Sequence, residues 1–206
     1  MSRPRLFITI GLWAVLLIAL NCVVVAYAWT RMHPQVELRQ LWEVPHFSLT
    51  DQENRTVSDQ NLRGKVWIAN FIFTQCAGTC PMMSSKMADL QSRLKGASVE
   101  LISFSVDPVT DTPAVLKQYA NRYKADSGRW KFLTGGVQQV NDVELGMKIA
   151  VEPPKGNDPL LHSTHFLLVD SKGLVRGIYD NNEVNADKGM DQLVKDATAL
   201  AEGRAQ

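Results

Sequence analysis

Two cysteines, Cys76 and Cys80, stand in Phe71-Ile72-Phe73-Thr74-Gln75-Cys76-Ala77-Gly78-Thr79-Cys80-Pro81, where an apolar run meets a helix start. This spacing lets both sulfurs hold one metal ion, or lets them close into a disulfide. Few other tasks place two thiols in one short loop at the mouth of a strand. An isolated His162 lies far downstream, at the entrance to a second apolar run. Two thiolates and an imidazole suit copper, the thiolates favouring Cu(I) and the imidazole helping to hold Cu(II). Zinc accepts the same atoms, but a structural zinc site takes four protein ligands. His165 is the rival histidine. Strand alternation puts residues 162, 164 and 166 on one face and 163, 165 and 167 on the other. The bland reading of either ring is an ordinary hydrogen-bonded histidine. His33 and His46 receive no role.

Position adds to composition. In open α/β folds ligand chemistry gathers where strand ends meet helix starts. The partial positive charge of a helix N-terminus favours thiolate over thiol, and thiolate is both metal ligand and nucleophile. The pair therefore fits metal capture and thiol exchange alike. Asp107, at the end of another strand, is a supporting candidate that could tune thiol protonation or partner docking. Its bland alternative is a turn-forming Asp before Pro108. Met83 and Met87, four residues apart, read as helix core, and Trp67 and Trp130 as core or near-core. Asp126, Asp142 and Glu144 read as solvated charge, so no carboxylate pair argues for hydrolysis.

The chain has 206 residues, 45% hydrophobic, and a formal charge of +1. Without a basic excess, nucleic acid is not an expected partner. From Leu6 to Trp29 the sequence is almost unbroken apolar, a run of roughly 36 Å as a helix, enough to cross a ~30 Å hydrocarbon layer. Arg3 and Arg5 precede it, which favours a cytoplasmic N-terminus. The expectation is a single-pass anchor (1–30) in the inner, cytoplasmic membrane and a tether (31–43). A domain (44–206) then faces the periplasm. Ala26-Tyr27-Ala28 offers the competing reading of a signal-peptidase site, and Cys22 reads as a membrane-embedded thiol. Outside the cytosol a close Cys pair oxidises unless a reductant or metal protects it. A domain of this size needs no disulfide staple, so the pair is expected to carry chemistry.

The remaining pattern alternates strand and helix. Strands are expected at 47–50, 66–73, 99–106 and 130–133, the second buried on both faces. Helices are expected from Pro81 to Gly96, from the Thr112 cap with Pro113 at its first position, and over 137–149. A hairpin of 166–169 and 174–179 precedes a closing helix that starts at Asn185 or Asp187. This order describes an α/β thioredoxin-like sandwich, a central mixed sheet flanked by helices.

Several of these segments carry a family resemblance. Phe73-Thr74-Gln75-Cys76-Ala77-Gly78-Thr79-Cys80-Pro81 is similar to the Cys-Pro-x-x-Cys-Pro loop of the Sco/SenC proteins. Ser105-Val106-Asp107-Pro108 with Asp111-Thr112-Pro113 resembles that family's Val-Asp-Pro…Asp-Thr-Pro segment. Trp130-Lys131-Phe132-Leu133-Thr134-Gly135 looks like its next landmark, and His162-Ser163 before Phe166-Leu167-Leu168-Val169-Asp170 resembles its ligand-histidine segment. The likeness spans roughly residues 44 to 200 in order. It implies a thioredoxin-like copper protein serving the dinuclear copper centre of cytochrome c oxidase subunit II, with Cys76, Cys80 and His162 as ligands. Two departures stand out: Ala77 replaces the usual proline, and Leu161 stands where an acidic residue often precedes the histidine.

Two functions follow as expectations. One is a membrane-anchored metallochaperone passing copper, as Cu(I) or Cu(II), to subunit II or another copper-accepting protein. The other is a thiol–disulfide reductase that keeps a partner's copper-ligating cysteines reduced, with Cys76 and Cys80 as the redox pair. Peroxidase chemistry is disfavoured, because neither Cys has a Thr three residues upstream.

Overall fold

The computed structural model describes residues 3–32, 36–148, 164–180 and 186–205. It divides into two compact units, Met1–Val36 and Glu37–Gln206. The first is one helix, α1 (Arg3–Met32). Its large apolar side chains from Leu12 to Tyr27 are exposed all round. Among the described residues no helix is long and apolar enough to cross a membrane; the side chains of α1 are described only from Leu12 to Ala28.

In the second unit the chain runs β1 (Ser48–Asp51), β2 (Thr56–Ser58), α2 (Asp59–Leu62), β3 (Val66–Ile72) and α3 (Thr79–Arg93). It continues through β4 (Val99–Ser105), α4 (Pro113–Arg122), β5 (Trp130–Thr134) and α5 (Val137–Gly146). It closes with β6 (His165–Val169), β7 (Val175–Asp180) and α6 (Ala186–Ala201). The sheet order is β2-β1-β5-β4-β3-β6-β7. β3, β4 and β5 are parallel, while β1 and β6 run antiparallel to their central neighbours. This is the mixed, helix-flanked sheet of a thioredoxin-like fold.

Strand parity sorts the core into two layers. Val66, Ile68 and Ile72 of β3 face Met83, Met87 and Leu90 of α3, Leu116 of α4 and Leu193 of α6. Trp67, Ala69 and Phe71 face the other way, toward Phe104, Val140 and Val143. Every residue of β3 is buried, because helices cover both sides. Met83 and Met87 are core, as their spacing requires, and Trp67 and Trp130 are fully buried. Glu144 departs from its solvated reading: burial pushes its carboxyl up to about 7.

The short pair β2 and α2 is the element the sequence pattern does not announce. Ser58 caps α2, its Oγ accepting from Asn61 N–H while Asn61 Oδ1 accepts from Ser58 N–H. Residues of the expected tether are also held to the domain. Leu41 N–H donates to Val175 O, Val175 N–H to Trp42 O, and Val44 N–H to Gly173 O. That stretch covers part of the exposed edge of β7.

Candidate metal and thiol site

β3 and β4 lie side by side in parallel and end together at Ile72 and Ser105. Two loops therefore leave the same end of the sheet. One, residues 73–78, carries Cys76 into α3, and the other, residues 106–112, leads into α4. Helix α3 begins at Thr79 with Gly78 at its N-cap, so Cys80 sits in the first helical turn.

Gly78 brings no side-chain oxygen to cap α3. A helix start leaves backbone N–H groups without partners, and here a sulfur takes one of them: Cys80 N–H donates to Cys76 Sγ at 3.4 Å. Negative charge at that point is favoured by the helix dipole. Burial works against the Cys76 thiolate. The N–H groups of Cys80, Gly78 and Thr79, with the Cys80 thiol, outweigh it and hold the group below the usual thiol range. Cys80 is the reverse. It is 1% exposed and part of the core beneath α3, and burial pushes its thiol up to about 12, with Cys76 and Asp111 adding to the rise. Both cysteines are free thiols. The loop thus presents one half-buried, activated sulfur and one sheltered, protonated sulfur.

His162 lies outside the described residues, as does Leu161. The chain enters β6 at the end of the sheet where β3 delivers the Cys loop, because the two strands are antiparallel. His165 is placed apart from the thiols by parity. Phe166 and Leu168 belong to the layer that holds Cys80, whereas Leu167 and Val169 belong to the opposite layer. The His165 ring stands 3.9 Å from Asp180 of β7. Among the described residues no three His, Cys, Asp or Glu side chains cluster as a metal ion would need. The sulfurs supply two donors suited to a soft ion; a third would come from elsewhere in the chain or from a partner.

Asp107 lies in the second loop, half-buried. Its backbone N–H donates to Ser105 Oγ at 3.1 Å, and its Oδ1 accepts from Thr110 N–H at 3.3 Å. These are the contacts of a turn-forming aspartate. The aspartate that does reach the Cys loop is Asp111, whose carboxylate binds Thr74. From the sequence, Asp111 stands out only as part of the Asp111-Thr112-Pro113 segment that carries the family resemblance.

Comparison with known proteins extends this picture. The SCO1/SenC family profile matches residues 37–198. A Bacillus subtilis protein named as an SCO1 homologue is 38% identical over 163 residues, covering 77% of this chain and 84% of that one. The solved structure of BsSco is described through its disulfide switch and as a member of the Sco family of cytochrome c oxidase assembly proteins. It matches with a TM-score of 0.68 at 37% identity, over 80% of this chain and 99% of that one. Arabidopsis thaliana ScoI, solved with copper bound, gives a TM-score of 0.64 at 26% identity, over 74% and 96% of the two chains.

Proposed function

We propose a copper-handling role for this chain, which belongs to the SCO1/SenC family. The observation that carries the reading is the pair of free thiols at the tip of α3, one of them held toward thiolate by backbone N–H groups. Cys76 and Cys80, with His162 as third donor, take one copper ion as cargo. They release it to a copper-accepting partner in the assembly of cytochrome c oxidase, the dinuclear centre of subunit II being the acceptor we favour. The thiolates supply soft donors for Cu(I), and the imidazole adds a donor suited to Cu(II).

Cys80 must lose a proton to ligate, so capture releases protons and weakens as pH falls. Cys76, the more exposed sulfur, meets the ion or the partner first. Cys80 then closes the chelate from inside the helix. Shared thiolate coordination lets the partner's sulfurs replace these one at a time, so no ligand need be lost before another is gained.

Helix α1 is the proposed membrane anchor, holding the domain in the periplasm on the outer face of the cytoplasmic membrane. Its support is 30 helical residues, roughly 45 Å of length, with apolar side chains exposed on all sides. Thiol–disulfide exchange is the second reading, and the asymmetry of the pair favours it. The half-buried Cys76 thiolate, held below the usual thiol range, attacks, and the sheltered Cys80 thiol resolves the mixed disulfide.

The test is titration of the reduced full chain in detergent with Cu(I) and Cu(II). A Cys76→Ala, Cys80→Ala double variant is expected to lose binding by several orders of magnitude, ~1,000-fold or more. Unchanged affinity in that variant removes the copper reading. Reduction of a partner disulfide with copper absent is the assay for the exchange reading.

A further inference from the structure

The Asp111 carboxylate is wholly buried and joins three separate pieces of chain. It accepts the Thr74 backbone N–H at 3.3 Å on Oδ1 and 3.1 Å on Oδ2, and the Thr74 hydroxyl at 2.5 Å on Oδ1. The Ser105 hydroxyl donates to Oδ2 at 2.6 Å. Thr74 opens the Cys loop, Ser105 closes β4, and Asp111 immediately precedes the Thr112 cap of α4. Among the described residues its hydrogen-bond partners are all uncharged. Both carboxylate oxygens are engaged, so this one side chain ties the start of the Cys loop to the end of β4.

What the arrangement fixes is the near end of the Cys loop. Thr74 lies two residues before Cys76, and Cys76 N–H donates back to Phe73 O at 3.3 Å. Beyond Cys76, Ala77 and Gly78 are exposed, a side chain at Gly78 would meet open space, and the Gly78 N-cap brings no capping side chain of its own. The place of Cys76 Sγ over the helix end therefore depends on where Thr74 is held.

We propose that Asp111 is the positioning residue of the Cys pair: through Thr74 it sets where Cys76 Sγ stands relative to the Cys80 N–H, and thereby the reactivity of the exposed sulfur. This rests on reading Cys76 and Cys80 as the functional pair, and it is independent of which metal or partner they meet.

The experiment uses the full chain in detergent, reduced and free of copper, so that failure of the copper reading leaves it decisive. Two quantities are read: the alkylation rate of Cys76 by iodoacetamide, followed on its own peptide, and the thiol–disulfide equilibrium constant against a glutathione buffer. Asp111→Ala is expected to slow alkylation and shift the equilibrium constant by about tenfold each. Asp111→Asn keeps an acceptor for Thr74 N–H, and one hydroxyl can turn to accept from its amide. Its Cys76 alkylation rate is expected to stay within about threefold of wild type. Thr74→Val loses one bond and should fall between the two.

A folded Asp111→Ala chain that melts lower, with both readings unchanged, would make Asp111 merely structural and overturn the proposal. So would Asp111→Asn matching Asp111→Ala in the alkylation rate of Cys76, because charge and not placement would then be the cause. If Asp111→Ala does not fold, Thr74→Val decides, and no change there overturns the proposal as well.

Discussion

Asp111 and Asp170 lie at opposite ends of the sheet, both buried, and the chain satisfies them in different ways. Asp170 follows β6, where Oδ2 meets Arg176 Nη1 at 2.9 Å and Oδ1 accepts the N–H groups of Lys172 and Leu174. Arg176 goes on to donate to the carbonyls of Arg39 and Leu38. That end is a closed clamp, each charge opposed by a charge, and it fastens residues 38–44 to β7. At the other end the donors to Asp111 among the described residues are all neutral, the Cys loop is partly exposed, and the two thiols are pushed in opposite directions. The clamp end maximises order. The thiol end retains groups poised to change state, as a site for a transferable ion or a passing disulfide requires.

The largest effect expected from this contrast is at the clamp. Arg176→Met leaves Asp170 buried and unpaired, a loss of roughly 3–5 kcal/mol. Thermal unfolding of the chain should fall by about 10 °C. Alkylation of Cys76 in the folded variant should be unchanged, and a changed rate would show that the two ends are coupled. At the thiol end, iodoacetamide near neutral pH should modify Cys76 at least about 100-fold faster than Cys80, because one thiol is held low and open and the other high and buried. Mass analysis of the two sites after a short exposure reads this directly, and equal rates would dissolve the asymmetry.

The smallest effect concerns Glu100, at the clamp end of β4, which takes Lys131 at 2.5 Å and Lys65 at 2.6 Å. Burial raises its carboxyl, yet the two lysines outweigh burial and hold it below the usual range. A depressed folded value stabilises the fold above the ordinary glutamate range, and the gain is lost as pH falls through the folded value. Glu100→Gln should therefore lower stability by on the order of 1 kcal/mol near neutral pH, with little difference from wild type in acid. Denaturant titrations at both pH values check the sign.

Legibility followed the strength of the local pattern. The apolar run at β3, the methionine spacing of α3 and the Thr112-Pro113 start of α4 declare their elements, because burial and capping there are local properties of the sequence. β2 and α2 do not: three- and four-residue elements offer no periodicity, although Ser58 and Asn61 hold the capping signal. At the site, the two thiols and their helix-tip position are legible from the Cys spacing, the apolar run before it and Pro81 after it. Their asymmetry is not, since it arises from which sulfur the core of α3 swallows. Of the two aspartates in the second loop, the sequence pattern singles out Asp107 alone. Asp107 stood out beside its proline, whereas Asp111 reaches the Cys loop only because parallel β3 and β4 end together.

Whether Cys76, Cys80 and His162 hold one copper ion, as we propose, is read in the absorption spectrum of the Cu(II)-loaded full chain. A strong sulfur-to-Cu(II) charge-transfer band is expected in wild type. It should vanish in either single Cys→Ala variant, and in His162→Ala it should shift, with about 10–100-fold weaker Cu(II) binding. A wild-type spectrum without that band, or a band indifferent to all three substitutions, would show that these residues do not hold the ion together.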